Sequence, residues 1–150
     1  MSNLEQWLNK DNAAGAWYAA AHAADAPPST SDSVYGYNTQ YSAKAGFMNL
    51  FTASEKAAIL DTTIRVVKAS IDGGGSEDIV RKIFLPSTTE IGLANESGIA
   101  EGALWSLFST SSNRIVTLTQ QAFSNSPSTS KPSAVGNAWY WWLRTPYAST

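Results

Sequence analysis

The chain has 150 residues, of which 15% are charged, and ten basic against twelve acidic residues give a net charge of −2. This length fits one domain, and neither charge sign forms a run, which excludes the usual electrostatic signature of nucleic-acid binding. The absence of cysteine excludes disulfides, zinc–thiolate sites and thiol catalysis. Six Trp, six Tyr and five Phe concentrate the apolar area in large rings, which predicts an aromatic core.

The N-terminal third begins with a helix signal. Ser2 and Glu5 have the S-x-x-E spacing of a capping box, and the apolar residues behind them predict a helix from Asn3 to Asn9. An alanine-rich stretch predicts a helix over 13–24, and a proline- and tyrosine-containing stretch predicts a long loop over 26–42. No signal peptide and no membrane-inserting segment are predicted, because no basic start precedes a long apolar run.

The middle of the chain combines a helix with a hairpin. Thr52 and Glu55 form a second capping box, which predicts a helix from Ala53 to Leu60. β-Branched residues over 62–70 predict a strand, and an apolar run over 79–85 predicts another. Because three consecutive glycines at 73–75 mark a turn between them, the two strands are expected to pair as a hairpin with a long loop.

The second half contains shorter signals. Ser87 and Glu90 form a third capping box, which predicts a brief helix ending near Gly92. Further along, we predict a short helix or turn at 104–108, a helix at 117–123, a loop at 124–136, and a strand buried on both faces at 139–143. Short helices, long loops and few strands predict an irregular α+β domain.

Residue types that carry catalysis or bind metals are sparse. His22 is the single histidine and no nucleophile elbow accompanies it, so we interpret it as a helix residue without catalytic function. The carboxylates around the glycine turn are interpreted as solvated, the alternative being calcium ligation by Asp72, Glu77 and Asp78. A carboxylate pair for hydrolysis could be assembled from Glu90, Glu96 and Glu101. No cofactor is predicted.

Aromatic residues supply the candidate binding sites. In a strand at 139–143, Trp139 and Trp141 would share one face and could contact a ligand, while Trp142 on the other face fills the core. The loop residues Tyr35, Tyr37 and Tyr41 have the composition of a binding loop. Arg144 is expected to partner a carboxylate or carbonyl group. Structural roles are predicted for Trp7, Phe47, Phe51, Trp142 and Arg144.

Five motifs in order resemble a family of uncharacterised domains from bacteria and their phages, whose signature is a W-W-L-R-S-P tract. The motifs here are Leu4-x-x-Trp7-Leu8-Asn9, Gly46 to Phe51 with Glu55 to Ile59, Lys82 to Leu85 with Ser87 and Glu90-Ile91, Asn113-Arg114 with Thr119, and Trp141 to Pro146. Thr145 replaces the usual serine. The resemblance implies a C-type-lectin-like fold, with short helices around a small twisted antiparallel sheet and long loops.

The family's strands before the first helix and its closing G-V-R-P motif are absent from the sequence. We therefore expect a single lectin-like domain over 1–150 that is incomplete at both ends, or a fragment of a longer domain. The resemblance implies a non-enzymatic recognition or decoration module that binds protein or carbohydrate on a phage particle or cell surface. The alternatives are a structural assembly subunit, homo-oligomeric or completed by a neighbouring chain, and a carboxylate-dependent hydrolase.

Overall fold

The computed structural model of the chain describes residues 2–13, 19, 44–125 and 133–146. Within these ranges, short helices and two small antiparallel sheets form a small α+β fold, as predicted. The backbone forms two compact units, Met1–Leu60 with Leu118–Asn137 and Asp61–Thr117 with Ala138–Thr150. The predicted loop at 26–42 and most of the predicted helix at 13–24, including His22, lie outside the described residues.

The described residues of the first unit form three short α-helices, α1 (Asn3–Asn9), α2 (Ala53–Ala58) and α3 (Gln120–Asn125). The predicted N-caps Ser2 and Thr52 begin α1 and α2 where predicted. In α2, Thr52 accepts a hydrogen bond from the Glu55 backbone while the Glu55 carboxylate accepts one from the Thr52 backbone (2.8 Å), and this bond lowers the pKa of Glu55. Helix α2 ends before Leu60 because Ile59 adopts extended backbone angles.

Helix α1 contacts a 3₁₀ helix, Phe47–Leu50, through aromatic rings. The indole of Trp7 donates to the carbonyl of Ala45 (2.9 Å), and its ring centroid lies 5.2 Å from that of Phe47. The Phe47 ring in turn meets Phe51 edge-on at 5.4 Å. At Gly46 the backbones approach so closely that a Cβ atom would lie 2.1 Å from the Lys10 carbonyl oxygen.

The second unit is built on a hairpin of β1 (Thr62–Val67) and β2 (Ser76–Arg81), which pair antiparallel with Ile64 opposite Ile79. The predicted hairpin is confirmed, although β2 begins three residues earlier than its apolar pattern indicated. A 3₁₀ helix, Ser70–Asp72, and the glycine run connect the strands. All three glycines have positive φ angles (87°, 63° and 73°), a backbone that L side chains rarely adopt.

A smaller sheet pairs β3 (Val116–Thr117) with β4 (Ala138–Trp139). The prediction of a strand over 139–143 buried on both faces is wrong, since pairing stops at Trp139 and Tyr140 and Trp142 are exposed. The predicted helix at 117–123 begins at Gln120 instead. The predicted element at 104–108 is a 3₁₀ helix, Ser106–Phe108, and another follows at Ser111–Arg114.

The described core is mainly aliphatic, contrary to the prediction of an aromatic one. Phe108 is the one aromatic ring among the buried hydrophobic residues of the described segments, which are Leu8, Met48, Ile64, Val67, Ile91 and Phe108. Most of the other described rings are half-buried, and Tyr140 and Trp142 are exposed. No helix in the described segments is both long and apolar enough to cross a membrane.

Candidate functional site

The second unit contains one turn of helix-like backbone from Ser87 to Leu93, and this turn positions a buried carboxylate. The predicted capping box forms: the Ser87 hydroxyl accepts from the Glu90 backbone (3.2 Å), and the Ser87 backbone donates to the Glu90 carboxylate (2.9 Å). Gly92 (φ 80°) and Leu93 donate back to Thr89 and Thr88 in the pattern of a Schellman motif. The predicted brief helix is therefore a single turn, closed at both ends.

Arg144 binds the carboxylate of Glu90 with both terminal nitrogens, Nη2 to Oε1 at 2.8 Å and Nη1 to Oε2. The two side chains are only 5% and 7% exposed. The guanidinium also donates to the carbonyls of Leu85 (2.9 Å), Glu101 (3.2 Å) and Arg65 (3.3 Å). A two-pronged contact of this kind uses the planar fork that distinguishes arginine from lysine, so a lysine could not reproduce it.

A second buried carboxylate, Glu101, lies in the same cluster. Its Oε1 accepts from the Val67 backbone (3.2 Å), and its Oε2 accepts from the Thr145 hydroxyl and from Asn95 (3.4 Å). The Thr145 hydroxyl oxygen accepts in turn from the Thr88 backbone (3.0 Å). A hydroxyl, a side-chain amide and a backbone N–H thus satisfy the Glu101 carboxylate, and no cationic side chain among the described residues pairs with it. We call Glu90, Glu101, Arg144 and Thr145 the buried polar cluster.

The buried polar cluster holds its acids in structural contacts. All four carboxylate oxygens of Glu90 and Glu101 accept hydrogen bonds from the protein, and both residues are buried at 6% and 3% exposure. A general acid or nucleophile needs a carboxyl oxygen that can reach the reacting atom. The remaining member of the predicted hydrolase set, Glu96, is exposed. Within the described segments no three His, Cys, Asp or Glu residues are grouped to hold a metal ion.

A row of aromatic rings lies beside the turn. Trp105 meets Phe84 edge-on at 6.3 Å and stacks on Phe108 at 6.1 Å, and Phe108 stacks on Trp141 at 5.8 Å. The Trp141 indole donates to the carbonyl of Arg114 (3.2 Å). These contacts hold the partly buried Trp141 ring in place, with its polar N–H satisfied.

Two other rings of the C-terminal tract face outward. Tyr140 is 87% exposed and Trp142 is 78% exposed, whereas Trp139 and Trp141 are partly buried. This alternation has the two-residue period of extended chain. Because Trp139 is paired in β4 and Arg144 is buried, the segment that carries the exposed rings is anchored on both sides.

The structure brings some of the predicted residues together and leaves others apart. Trp139 and Trp141, expected to face a ligand, lie on the packed side, and Trp142, expected in the core, lies on the exposed side. Arg144 contacts a carboxylate and carbonyl groups. The predicted loop residues Tyr35, Tyr37 and Tyr41 lie outside the described residues. Trp7, Phe47 and Phe51 contact one another in the first unit.

Sequence reasoning did not identify Tyr140 as an exposed ring or Glu101 as a member of the buried polar cluster. Side-chain alternation in an extended segment places Tyr140 and Trp142 on the same face, but it does not indicate which of the two faces is exposed. Glu90 had a local signal, the capping box with Ser87, which indicated a structural carboxylate. Nothing in the sequence near Glu101 marks it as buried.

A small α+β domain with an anchored aromatic tract is the class that these observations define. The whole chain, residues 1–150, matches the family described as Domain of unknown function (DUF6273), and the chain belongs to that family. No curated protein matches the chain significantly, and no solved structure does so.

Proposed function

We propose that the chain is a non-enzymatic recognition module with a C-type-lectin-like fold that binds a protein or carbohydrate ligand through Tyr140 and Trp142. The observation that supports this proposal is the exposure of these two large rings, 87% and 78%, on a segment that is fixed on both sides. Large exposed aromatic side chains on a monomeric surface are typical of binding sites, because they offer contact area that loses little rotamer entropy.

The backbone that carries Tyr140 and Trp142 is held in place by its neighbours, and this favours a role for the two rings in ligand binding. Trp141 is stacked on Phe108 and bonded to Arg114, and Arg144 is held by Glu90. A ligand that contacts the neighbouring rings therefore does not have to order this backbone, which lowers the entropic cost of binding. The proposed setting, a phage particle or a cell surface, follows from the resemblance of the motifs.

The hydrolase alternative has less support. Glu90 and Glu101 are buried and their oxygens already accept hydrogen bonds from Arg144, Thr145 and the backbone. An attacking or protonating carboxyl would have to break these bonds before it reached a substrate. Carboxylates that are buried and hydrogen-bonded in this way are typical of residues that hold a chain segment in place.

A glycan array and a protein pull-down with the full chain test the proposal. We expect the double variant Tyr140→Ala/Trp142→Ala to melt at the wild-type temperature but to bind about tenfold more weakly or worse, as hot-spot aromatics do. Leu107→Ala, which removes a side chain that is 64% exposed in the same unit, is the matched control and should bind normally.

Two outcomes would contradict the proposal. Unchanged binding by the double variant would show that the ligand contacts another surface. Turnover of a bound glycan that disappears in Glu90→Gln or Glu101→Gln, with the fold intact, would establish the hydrolase instead.

A further inference from the structure

The two edges of the hairpin differ in what their backbone groups contact. The Lys68 N–H donates to the Gly75 carbonyl (3.0 Å), which fixes the phase of the antiparallel ladder. Residues 62, 64 and 66 therefore bond to β2, whereas 63, 65 and 67 direct their N–H and C=O groups away from it. By the same phase, Ser76, Asp78 and Val80 direct their backbone groups away from β1.

Side chains of the buried polar cluster close the outer edge of β1. The Val67 N–H donates to Glu101 (3.2 Å), and the Arg65 carbonyl accepts from Arg144 (3.3 Å). The outer edge of β2 has no such cover in the described part of the chain, where its one contact is the Val80 carbonyl with the Arg81 side chain (2.7 Å). Ser76, Asp78 and Val80, whose N–H groups lie along that edge, are all exposed.

We propose that β2 pairs antiparallel with β2 of a second copy of this chain, about a two-fold axis through Ile79. In this register Asp78 and Val80 exchange backbone hydrogen bonds with Val80 and Asp78 of the second copy, and the two hairpins form a four-stranded sheet. An unpaired sheet edge is a template for such strand addition. The proposal stands independently of the recognition function.

Charge complementarity favours a second copy as the occupant and opposes two of the alternative registers. Pairing about Ile79 places Glu77 of each copy opposite Arg81 of the other, and Ile79 opposite Ile79. A shift of the axis to Asp78 would place Asp78 opposite Asp78, and a shift to Glu77 would place Glu77 opposite Glu77. Like charges directly opposite destabilise a strand pair, so the sequence of β2 opposes both shifts.

The existing contacts of β2 are compatible with this pairing. The charge of Asp78 is already balanced by Arg65 in its own hairpin, at 2.9 and 3.2 Å. The Arg81 guanidinium has five N–H donors, so a contact with Glu77 of the second copy adds to the contacts that Arg81 already makes, among them its bond with Val80. The Val80 carbonyl has a second lone pair for the incoming N–H.

Sedimentation velocity of the full chain over a concentration series tests the pairing with two proline variants. Val80→Pro removes an outward N–H and leaves the bonds to β1 intact, so we expect the dimer dissociation constant to rise about tenfold or more. Thr63→Pro is the matched control, because Thr63 faces Val80 in the same hairpin but directs its N–H to the opposite edge. It should associate as the wild type does.

Amide hydrogen exchange of the wild-type chain provides a second measurement that needs no variant. Protection of the Asp78 and Val80 amides should rise with protein concentration, while the Glu77 and Ile79 amides, bonded to β1, should be protected at every concentration. A monomer at millimolar concentration, equal weakening by both prolines, or exchange at Asp78 and Val80 that is independent of concentration would overturn the proposal.

Discussion

Replacing Arg144 by methionine should destabilise the second unit severely, because it leaves the carboxylate of Glu90 buried without its cation. Methionine has a similar length and keeps apolar contacts, so the change chiefly removes the charge and its donors. Breaking a buried ion pair by removing one partner costs about 3–5 kcal/mol. A native chain is stable by only about 5–15 kcal/mol, so the loss would take a large share of the free energy of unfolding.

Urea denaturation followed by tryptophan fluorescence measures the effect, and a second arginine provides the control. Arg65 also binds a carboxylate, that of Asp78, through two nitrogens, here Nε and Nη2, but those side chains are 53% and 52% exposed. Exposed pairs are screened by water, so Arg65→Met should move the urea midpoint much less than Arg144→Met. Equal shifts for the two variants would show that burial does not strengthen the contribution of the Arg144–Glu90 pair.

A double-mutant cycle separates the ion pair from other losses. Glu90→Gln keeps an acceptor for the Ser87 N–H, since glutamine also serves in a capping box, but removes the charge that Arg144 needs. The double variant Glu90→Gln/Arg144→Met should be less destabilised than the sum of the single variants, by about 0.5–3 kcal/mol. Additive losses would show that the two charges do not stabilise each other.

Two further predictions concern backbone proximity and pH. Gly46→Ala should lower the free energy of unfolding by about 1–3 kcal/mol, because its Cβ would overlap the Lys10 carbonyl; an unchanged thermal melt would contradict the close approach. The hydrogen bond from Arg65 lowers the pKa of Asp78 in the folded state, so its stabilisation is present above the unfolded pKa of about 4 and is lost as pH falls through the folded value. The acid loss of stability should therefore be smaller in Asp78→Asn than in the wild type, and identical pH profiles from urea denaturation would contradict this.

Local signals in the sequence predicted the short helices and the hairpin. The capping boxes at Ser2 and Thr52 begin helices at the next residue because their hydrogen bonds span only three positions. The same box at Ser87 produced one turn, because Gly92 adopts a left-handed conformation and ends it at once. A capping box indicates where a helix can begin and leaves its length to later residues.

The environment of the aromatic tract could not be predicted from its own residues. An apolar run forms a strand buried on both faces only where other parts of the chain cover both faces. Here the partner strand β3 is two residues long, so strand pairing ends at Trp139. Which rings are packed then depends on Phe108 and Arg114, which are distant in sequence. The partnership of Arg144 with Glu90 spans 54 positions, and no local pattern encodes it.

The two residues of the buried ion pair are synthesised at different times, and this delay affects the folding of the nascent chain. Glu90 is synthesised 54 positions before Arg144, which at about 5–20 residues per second is a delay of roughly 3 to 11 seconds. During that interval the hairpin and the Ser87 turn can form, but the carboxylate that they present still awaits its counter-ion. Translation stalled between the two residues should therefore yield a nascent chain that proteases cut readily, and release past Arg144 should protect it.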